Sequence, residues 1–516
     1  MTKPIDPTSL LDVAVRRARH DASTPFVLTL DEVEPLGVRT LTYGQVLARA
    51  AVLAQALAEA GVTPGDRVGC YLPNSPSWVV ASLAVWANGA AVAAAGTLLP
   101  GPEAAGLFAL ADAKTVVTST EAPELGDDFT VVGIDDGGVL AGSDPGVTDR
   151  ATAEPALPAS DDLAVAIFTS GTTGCPKGIT HTHADIVAAA RRVAAGYART
   201  SGYRPGPAPA HLAPGVVFNP FGHMAGYSRL AFRMWIGRPT VIVPRFTVAA
   251  TQALLACFAM DTLQLTPTMI HMLATTEEPL NLGGVRYATS GTAPLSVAAR
   301  ELFEARYGVP VMQAYGMTEV GAVAQERYED VVAGRRGPGS VGRLAAGVEV
   351  RFRHLDDDRP AGESEILVRT DEASKEFIGG APVPVDEDGW FATGDVGRLD
   401  DGILYITGRV QEKIIVGGFN VYPAEVEDAV RRSALVRDAV VMGLPDERLG
   451  ERPVAGVVWA GEPDEGALVD ELRGSLAPYK VPRAFFRLDA VPLTPRDKVD
   501  RRRAAELARH LLRGDP

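Results

Sequence analysis

Ile167-Phe-Thr-Ser-Gly-Thr-Thr-Gly-Cys-Pro-Lys-Gly178 is the stretch on which the reading of this chain turns. It starts as an apolar strand, passes into a run of hydroxyls and glycines, and closes on a lysine. Glycine lets backbone N–H groups turn toward an anion, Ser and Thr add donors, and Lys177 adds charge, so the composition suits a polyphosphate. The common nucleotidase loop needs Gly-Lys-Ser/Thr running into a helix, whereas Pro176 precedes this lysine and Gly178 follows it. Short Gly/Ser/Thr loops also occur as plain turns; the length of this one and its terminal lysine set it apart. Lysine is scarce besides: Lys3, Lys114, Lys177, Lys375, Lys413, Lys480 and Lys498 are seven among 49 basic residues. Where arginine meets most cationic needs, a retained lysine is a candidate for work that wants a compact, mobile ammonium.

Outward from this loop, strands and helices alternate. A helix is expected over 45–60, an apolar strand over 68–72, a buried helix entering a strand within 78–98, and strands near 115 and over 162–170. A helix over 184–198, strands over 239–244 and 262–267, and helices from Val248 and Ser296 follow. That order predicts βαβ units, an α/β fold of mostly parallel sheets covered by helices. Residues 127–160 and 201–214 are rich in Gly, Pro, Ala and Asp without apolar periodicity, so both are expected as loops, the second bordering a ligand site. From about residue 337 short alternating strands predict an antiparallel, barrel-like subdomain. A chain of 516 residues exceeds one core. A large N-terminal domain over 1–409 and a small α+β domain over 410–516 are therefore expected.

The net charge of -15 argues against nucleic acid as partner, because such binding needs a basic face. The N-terminus shows no signal-peptide core, and the apolar run 78–98 is interrupted by Asn88, Gly89 and Gly96, so no integral membrane segment is expected. Cys70, Cys175 and Cys257 match neither a zinc spacing nor a disulfide framework, which favours the cytoplasm.

The opening stretch resembles the phosphate-binding signature of the adenylate-forming superfamily of acyl-CoA synthetases, nonribosomal-peptide adenylation domains and beetle luciferases. Five further segments stand in that family's order: Gln313-Ala-Tyr-Gly-Met-Thr-Glu319, Trp390-Phe-Ala-Thr-Gly-Asp395, Tyr405-Ile-Thr-Gly-Arg409, Gly417-Gly-Phe-Asn-Val-Tyr-Pro423 and Pro495-Arg-Asp-Lys-Val-Asp-Arg501. With LTYGQVL from Leu41 and GDRVGCYLPNS from Gly65, the resemblance spans residues 40–505. It implies a large domain that binds ATP and acid, followed by a small mobile domain on a hinge.

The resemblance also assigns roles. Thr169, Ser170, Gly171, Thr172, Thr173, Gly174 and Lys177 would cradle the ATP phosphates. Ala314, Tyr315 and Gly316 would lie on one side of the adenine, and Ser290, Gly291, Thr292, Ala293 and Pro294 on the other. Thr318 would donate to the α-phosphate and Glu319 would ligate Mg²⁺, a hard cation suited to carboxylate and phosphate oxygen. Asp395 would accept from both ribose hydroxyls, with Arg409 close by. Lys498 would bridge the substrate carboxylate and the α-phosphate, offsetting charge in the transition state.

Two departures stand out. Asp497 replaces the glycine that usually precedes the catalytic lysine, which would stiffen the loop or weaken the lysine's field. At the domain junction Gly408-Arg-Val-Gln-Glu412 stands where Gly-Arg-x-Lys/Asp-Asp is usual; Gln411 is kept as the hinge, and Gln411 and Glu412 are expected not to repeat the usual ionic contacts. Gly417 and Gly418 would let backbone approach a pantetheine arm. His223, in Asn219-Pro-Phe-Gly-His-Met-Ala-Gly226, would gate the acyl pocket, walled by Met224, Ala225, Ala314, Met317 and Val320. That wall is apolar and lacks the fixed acid that binds an amino group, favouring a hydrophobic or aromatic acid over an amino acid.

The resemblance thus implies a Mg²⁺-dependent acid–thiol ligase that makes acyl-AMP from a small-molecule carboxylic acid and ATP, then passes the acyl group to coenzyme A. Alternatives open at this point are an acyl carrier protein or non-thiol acceptor, an enzyme keeping one half-reaction, and a non-catalytic nucleotide binder.

Overall fold

The computed structural model describes residues 7–30, 37–97, 99–119, 125–143, 155–169, 176–201, 213–354, 364–371, 373–417, 419–494 and 498–513, which form four sheets. The first has six strands in the order Thr130–Ile134, Thr115–Ser119, Arg67–Leu72, Ala91–Gly96, Leu163–Thr169 and Lys177–Thr182. All neighbours are parallel except the last pair. Successive side chains of a strand face opposite ways, and here they feed two separate cores. Val92, Ala94, Val165 and Ile167 pack with Trp78 and Trp86 of the helix Pro76–Ala87, while Ala93, Ala95, Ala166 and Phe168 pack with Leu107 and Phe108 of the helix Gly101–Leu110. Covering both faces explains why these strands read as continuous apolar runs.

The strand Thr130–Ile134 falls inside a stretch expected to be loop. It lies at the sheet edge with Val131 exposed, so it carries no inward-outward alternation to read.

The second sheet has nine strands. Thr262–Leu265, Tyr287–Ser290 and Val311–Met317 are parallel. Gly321–Gln325, Ser340–Leu344, Ile403–Arg409, Phe391–Asp400, Ser364–Arg369 and Glu349–Arg353 continue it antiparallel. The antiparallel strands expected after residue 337 therefore form, and the pairings run as one open path from the parallel strands rather than as a separate sheet. A four-stranded sheet, Val38–Thr42, Pro25–Leu30, Thr240–Ile242 and Gly215–Val217, completes the large unit.

The C-terminal residues make their own sheet from Phe419–Val421, Ile414–Val416, Gly450–Trp459 and Val436–Asp446, with Ala484–Arg487 beside the third of these. Helices Pro423–Arg431 and Glu465–Arg473 cover one face, and Ala504 and Ala508 of Arg501–Arg513 cover the other. Contacts between helices and strands join this sheet to the large unit. The Val297 N–H donates to Asp428 Oδ1 at 3.1 Å, and His271 Nε2 lies 4.0 Å from Asp438.

Candidate active site

A cleft of about 1390 Å³ opens where the first two sheets and the C-terminal unit meet. Thr169 and Lys177, the two ends of the phosphate loop, line it. They are register partners on adjacent strands, with Thr169 Oγ1 donating to the Lys177 carbonyl at 3.4 Å and the Lys177 ammonium 5.2 Å from the Phe377 ring centre. Ser170, Gly171, Thr172, Thr173 and Gly174 lie outside the described residues.

Thr318 and Glu319 also line the cleft. They sit at the tip of the hairpin that pairs Met317 with Gly321, which turns both side chains out of the sheet. Val320, the third residue of that tip, is fully buried in the core beneath the antiparallel strands. The expectation that it walls the acyl pocket is therefore corrected: the alternation of the turn points it the other way.

Of the two segments expected to flank adenine, Gly291 and Thr292 line the cleft with Ala314, Tyr315 and Gly316, whereas Ser290, Ala293 and Pro294 do not join that lining. A Cβ on Gly291 would stand 3.0 Å from the Ala314 carbonyl oxygen, so glycine is what lets the two segments come close. Thr292 adopts a left-handed φ of +73°, a rare state for a β-branched residue. Beside it the buried hydroxyls of Ser290 and Thr289 have no hydrogen-bond partner among the described residues, an unusual condition that a bound polar ligand would relieve.

Asp395 and Arg409 are register partners on neighbouring strands. Arg409 Nε donates to Asp395 Oδ1 at 2.8 Å and Tyr315 Oη donates to Asp395 Oδ2 at 2.7 Å. Burial, together with the Asp395 charge, raises the Tyr315 phenol well above its ordinary range and keeps it a donor. Each carboxylate oxygen retains a second lone pair, but Asp395 is buried and does not itself join the cleft lining, where its neighbours Thr393, Gly394 and Arg409 do.

Lys498 reaches the same cleft from the C-terminal unit. Its loop is braced by the Thr494 N–H on the Lys498 carbonyl at 2.7 Å and the Lys498 N–H on Thr494 Oγ1 at 3.3 Å. Asp497 lies outside the described residues. Gln411, within the turn that follows Arg409, lines the cleft too. The turn is held at its start by the Val410 N–H on the Gly394 carbonyl at 2.8 Å. At its end Glu412 Oε2 accepts from Arg501 Nε at 3.2 Å, and Arg501 also binds Glu427. Glu412 thus makes an ionic contact at this junction, to a residue of the Lys498 segment. Gly417 lies away from the cleft, with φ +57° on a tight turn of the C-terminal sheet, and Gly418 is outside the described residues.

His223 caps the N-terminal end of the helix Met224–Ile236, where it lines the cleft with Met224, Ala225 and, from the facing strand, Met317. His181 and Arg229 are among the lining residues that carried no expectation. His181 is buried with Nε2 unpartnered, and burial pushes its imidazole down to about 4 against the pull of Asp185 and the Thr318 backbone. Arg229 sits on the acyl helix; the signal for it was a pair of arginines, Arg229 and Arg233, one turn apart in the otherwise mostly apolar run MAGYSRLAFRMWI.

Among the described residues no three His, Cys, Asp or Glu side chains group as a metal cage, and no helix is long and apolar enough to cross a membrane. A single carboxylate beside a phosphate site is nevertheless the usual setting for Mg²⁺, which takes most of its ligands from phosphate and water.

Hydroxyls and a lysine at one end, a paired aspartate beside an aromatic ring, and a recess beside His223, Met224 and Ala225 at the other define a class: an enzyme that holds a nucleotide against a carboxylic acid. Comparison with known proteins agrees. The family model for AMP-binding enzymes matches residues 16–377 and that for the AMP-binding enzyme C-terminal domain matches 425–498. The chain belongs to this adenylate-forming family. It is 31% identical over 481 residues to the long-chain-fatty-acid–CoA ligase FadD13 of Mycobacterium tuberculosis, covering 90% of this chain and 93% of that one. It is 31% identical over 513 residues to the sulfoacetate–CoA ligase of Cupriavidus necator, covering 95% and 96%. In fold it is similar to the anthranilate CoA ligase AuaEII, solved with anthranoyl-AMP, at a TM-score of 0.83 and 24% identity over 97% of each chain.

Proposed function

We propose that the protein is an AMP-forming acid–CoA ligase acting in the cytoplasm on a hydrophobic or aromatic carboxylic acid. The observation that carries this is convergence: Lys498 from the C-terminal unit and Lys177, Thr318, Tyr315 and His223 from the large unit line one cleft. The domain boundary follows Arg409, with Gln411 as the hinge.

In the first half-reaction a carboxylate oxygen of the acid attacks the α-phosphorus of ATP, and pyrophosphate leaves with the electrons of the broken bond. Two anions must meet, so the chief barrier is electrostatic. Lys498 lowers it by lying against both, and Thr318 donates to the α-phosphate oxygen. Lys177 and the loop it closes hold the leaving pyrophosphate, while Asp395 and Tyr315 fix the nucleoside. Mg²⁺, held by Glu319 and the phosphates, would neutralise phosphate charge. In the second half-reaction the sulfur of coenzyme A attacks the acyl carbon, AMP leaves, and the thiol proton passes to solvent.

Relatives of equal identity carry names as unlike as long-chain fatty acid and sulfoacetate, so the acid has to be read from the pocket. The test is acid-dependent ATP–pyrophosphate exchange across fatty, aryl and amino acids, repeated with mass detection after adding coenzyme A. Exchange and acyl-CoA with hydrophobic or aryl acids are expected. Absence of exchange with every acid sinks the reading, and exchange without thioester restricts the enzyme to its first step.

A further inference from the structure

Six residues of the acyl helix separate His223 at its mouth from Arg229, a rise of about 9 Å. Met224, Ala225, Ser228, Arg229 and Phe232 all line the cleft, the spacing of one helical face. That face is apolar and small at the mouth and cationic further in. Tyr287, from the neighbouring sheet, is the ionisable neighbour that bears on Arg229.

Behind Arg229 stands Arg233, one turn along. It is 1% exposed, its guanidinium lies 5.5 Å from the Phe232 ring centre, and its Nε, Nη1 and Nη2 have no hydrogen-bond partner among the described residues. A Cβ on Gly215 would overlap this guanidinium, so the glycine makes the room it occupies. Arg238 differs. It binds Asp261 at 2.5 Å, the Ala213 carbonyl at 2.5 Å and Tyr197 Oη at 2.9 Å. Asp261 is thus already engaged by Arg238, and it acts on Arg233 as a nearby charge without a hydrogen bond to it.

Five acids line the cleft among the described residues, Asp185, Glu319, Glu326, Glu329 and Glu365, and none is among the charges that bear most on Arg229 or Arg233. Asp185 takes the Thr182 N–H, Glu326 the Gln313 N–H and Glu365 the Arg353 guanidinium, while Glu319 stands at the phosphate side. The segment 202–212 contains no Asp or Glu. Burial, with Arg238 adding to it, pushes Arg233 down to about 9, and burial takes Arg229 to about 10, so both remain cations at neutral pH. A buried charge without a partner is costly, and an apolar side chain of similar volume would pack there without that cost. The uncompensated charge therefore calls for an anion supplied from the cleft.

We infer that the acyl end selects a hydrophobic or aromatic acid whose far end carries an anionic oxygen group, a second carboxylate or a sulfonate, with Arg229 as its direct partner and Arg233 as a positioning residue behind it. This rests on the adenylation reading above. The apolar stripe from Met224 to Phe232 takes the middle of such a substrate, and Lys498 takes the carboxylate that reacts.

The test compares linear and aryl dicarboxylic acids with their monomethyl esters in ATP–pyrophosphate exchange, the ester matching the length while removing the distal charge. The wild-type enzyme should favour the diacid by at least tenfold in kcat/KM, chiefly through KM. Arg229→Met should collapse that ratio to near or below one, and Arg229→Lys should keep an intermediate value, with thermal midpoints taken alongside. Should Arg229→Met fail to fold, the wild-type ratio and the lysine variant decide. Equal or better use of the esters by the wild type, or an unchanged ratio in Arg229→Met, overturns the inference. Exchange with no acid of either kind would instead overturn adenylation itself.

Discussion

The two ends of the cleft are held in different ways. At the nucleotide end each working side chain is fixed by close backbone neighbours: Thr318 and Glu319 by a three-residue hairpin tip, Asp395 and Arg409 by facing positions on adjacent strands. At the acyl end the wall is assembled from the helix Met224–Ile236 and from Tyr287 and Met312, elements separated by tens of residues. Chemistry common to all substrates sits on rigid backbone geometry. Selectivity sits on side chains that can change without disturbing it.

The largest test of that contrast is Lys498→Ala. Lys498 is exposed, so folding should be unchanged, while exchange should fall by roughly 10²–10³ for every acid alike. A loss that varied strongly between acids would break the separation. At the other end, Ala225→Trp should reorder the accepted acids by roughly 10–100-fold with the KM for ATP unmoved. Equal movement of both constants would show the ends to be coupled. Tyr315→Phe removes one hydrogen bond to a carboxylate and should raise the KM for ATP by roughly tenfold, leaving the ranking of acids as it was. If the ranking shifts instead, Tyr315 belongs to the acyl wall.

One further effect, outside catalysis, is on stability. His181, at the cleft, and His183, packed edge-on to Trp86 at 5.3 Å, are both pushed down to about 4 by burial. The unfolded chain binds their protons below about pH 6.5 and the native protein does not, so stability falls as pH drops from about 6.5 to about 4. Each histidine contributes about 1.4 kcal/mol per pH unit in that window. His183→Phe should flatten the curve of thermal midpoint against pH, and an unaltered slope would mean that His183 is protonated in the native state.

Most of the nucleotide end was legible in sequence because its residues come in short runs whose spacing is itself the geometry: Gln313 to Glu319 is a strand and hairpin tip, Trp390 to Asp395 and Tyr405 to Arg409 are paired strands. Val320 was misplaced because a run does not say which way a turn points its last residue. The acyl end resisted for a different reason. Nothing in the order of residues brings Arg229 to Tyr287 or leaves Arg233 over a glycine; those meetings are made by sheet order and by the absence of a Cβ on Gly215. The edge strand Thr130–Ile134 escaped because an exposed edge imposes little pattern on its side chains. At the junction, Glu412 was read for what it replaces, while its partner Arg501 lies 89 positions away.

Thr292 has one more consequence, for anyone altering this protein. A non-glycine residue held left-handed costs about 1–2 kcal/mol, so Thr292→Gly is a change that a screen for heat resistance would reward. The same change strips a hydroxyl and a methyl from the adenine wall. Selection for ruggedness and selection for turnover therefore pull this position in opposite directions, and a variant library sorted by melting behaviour alone would enrich for enzymes that grip their nucleotide less well.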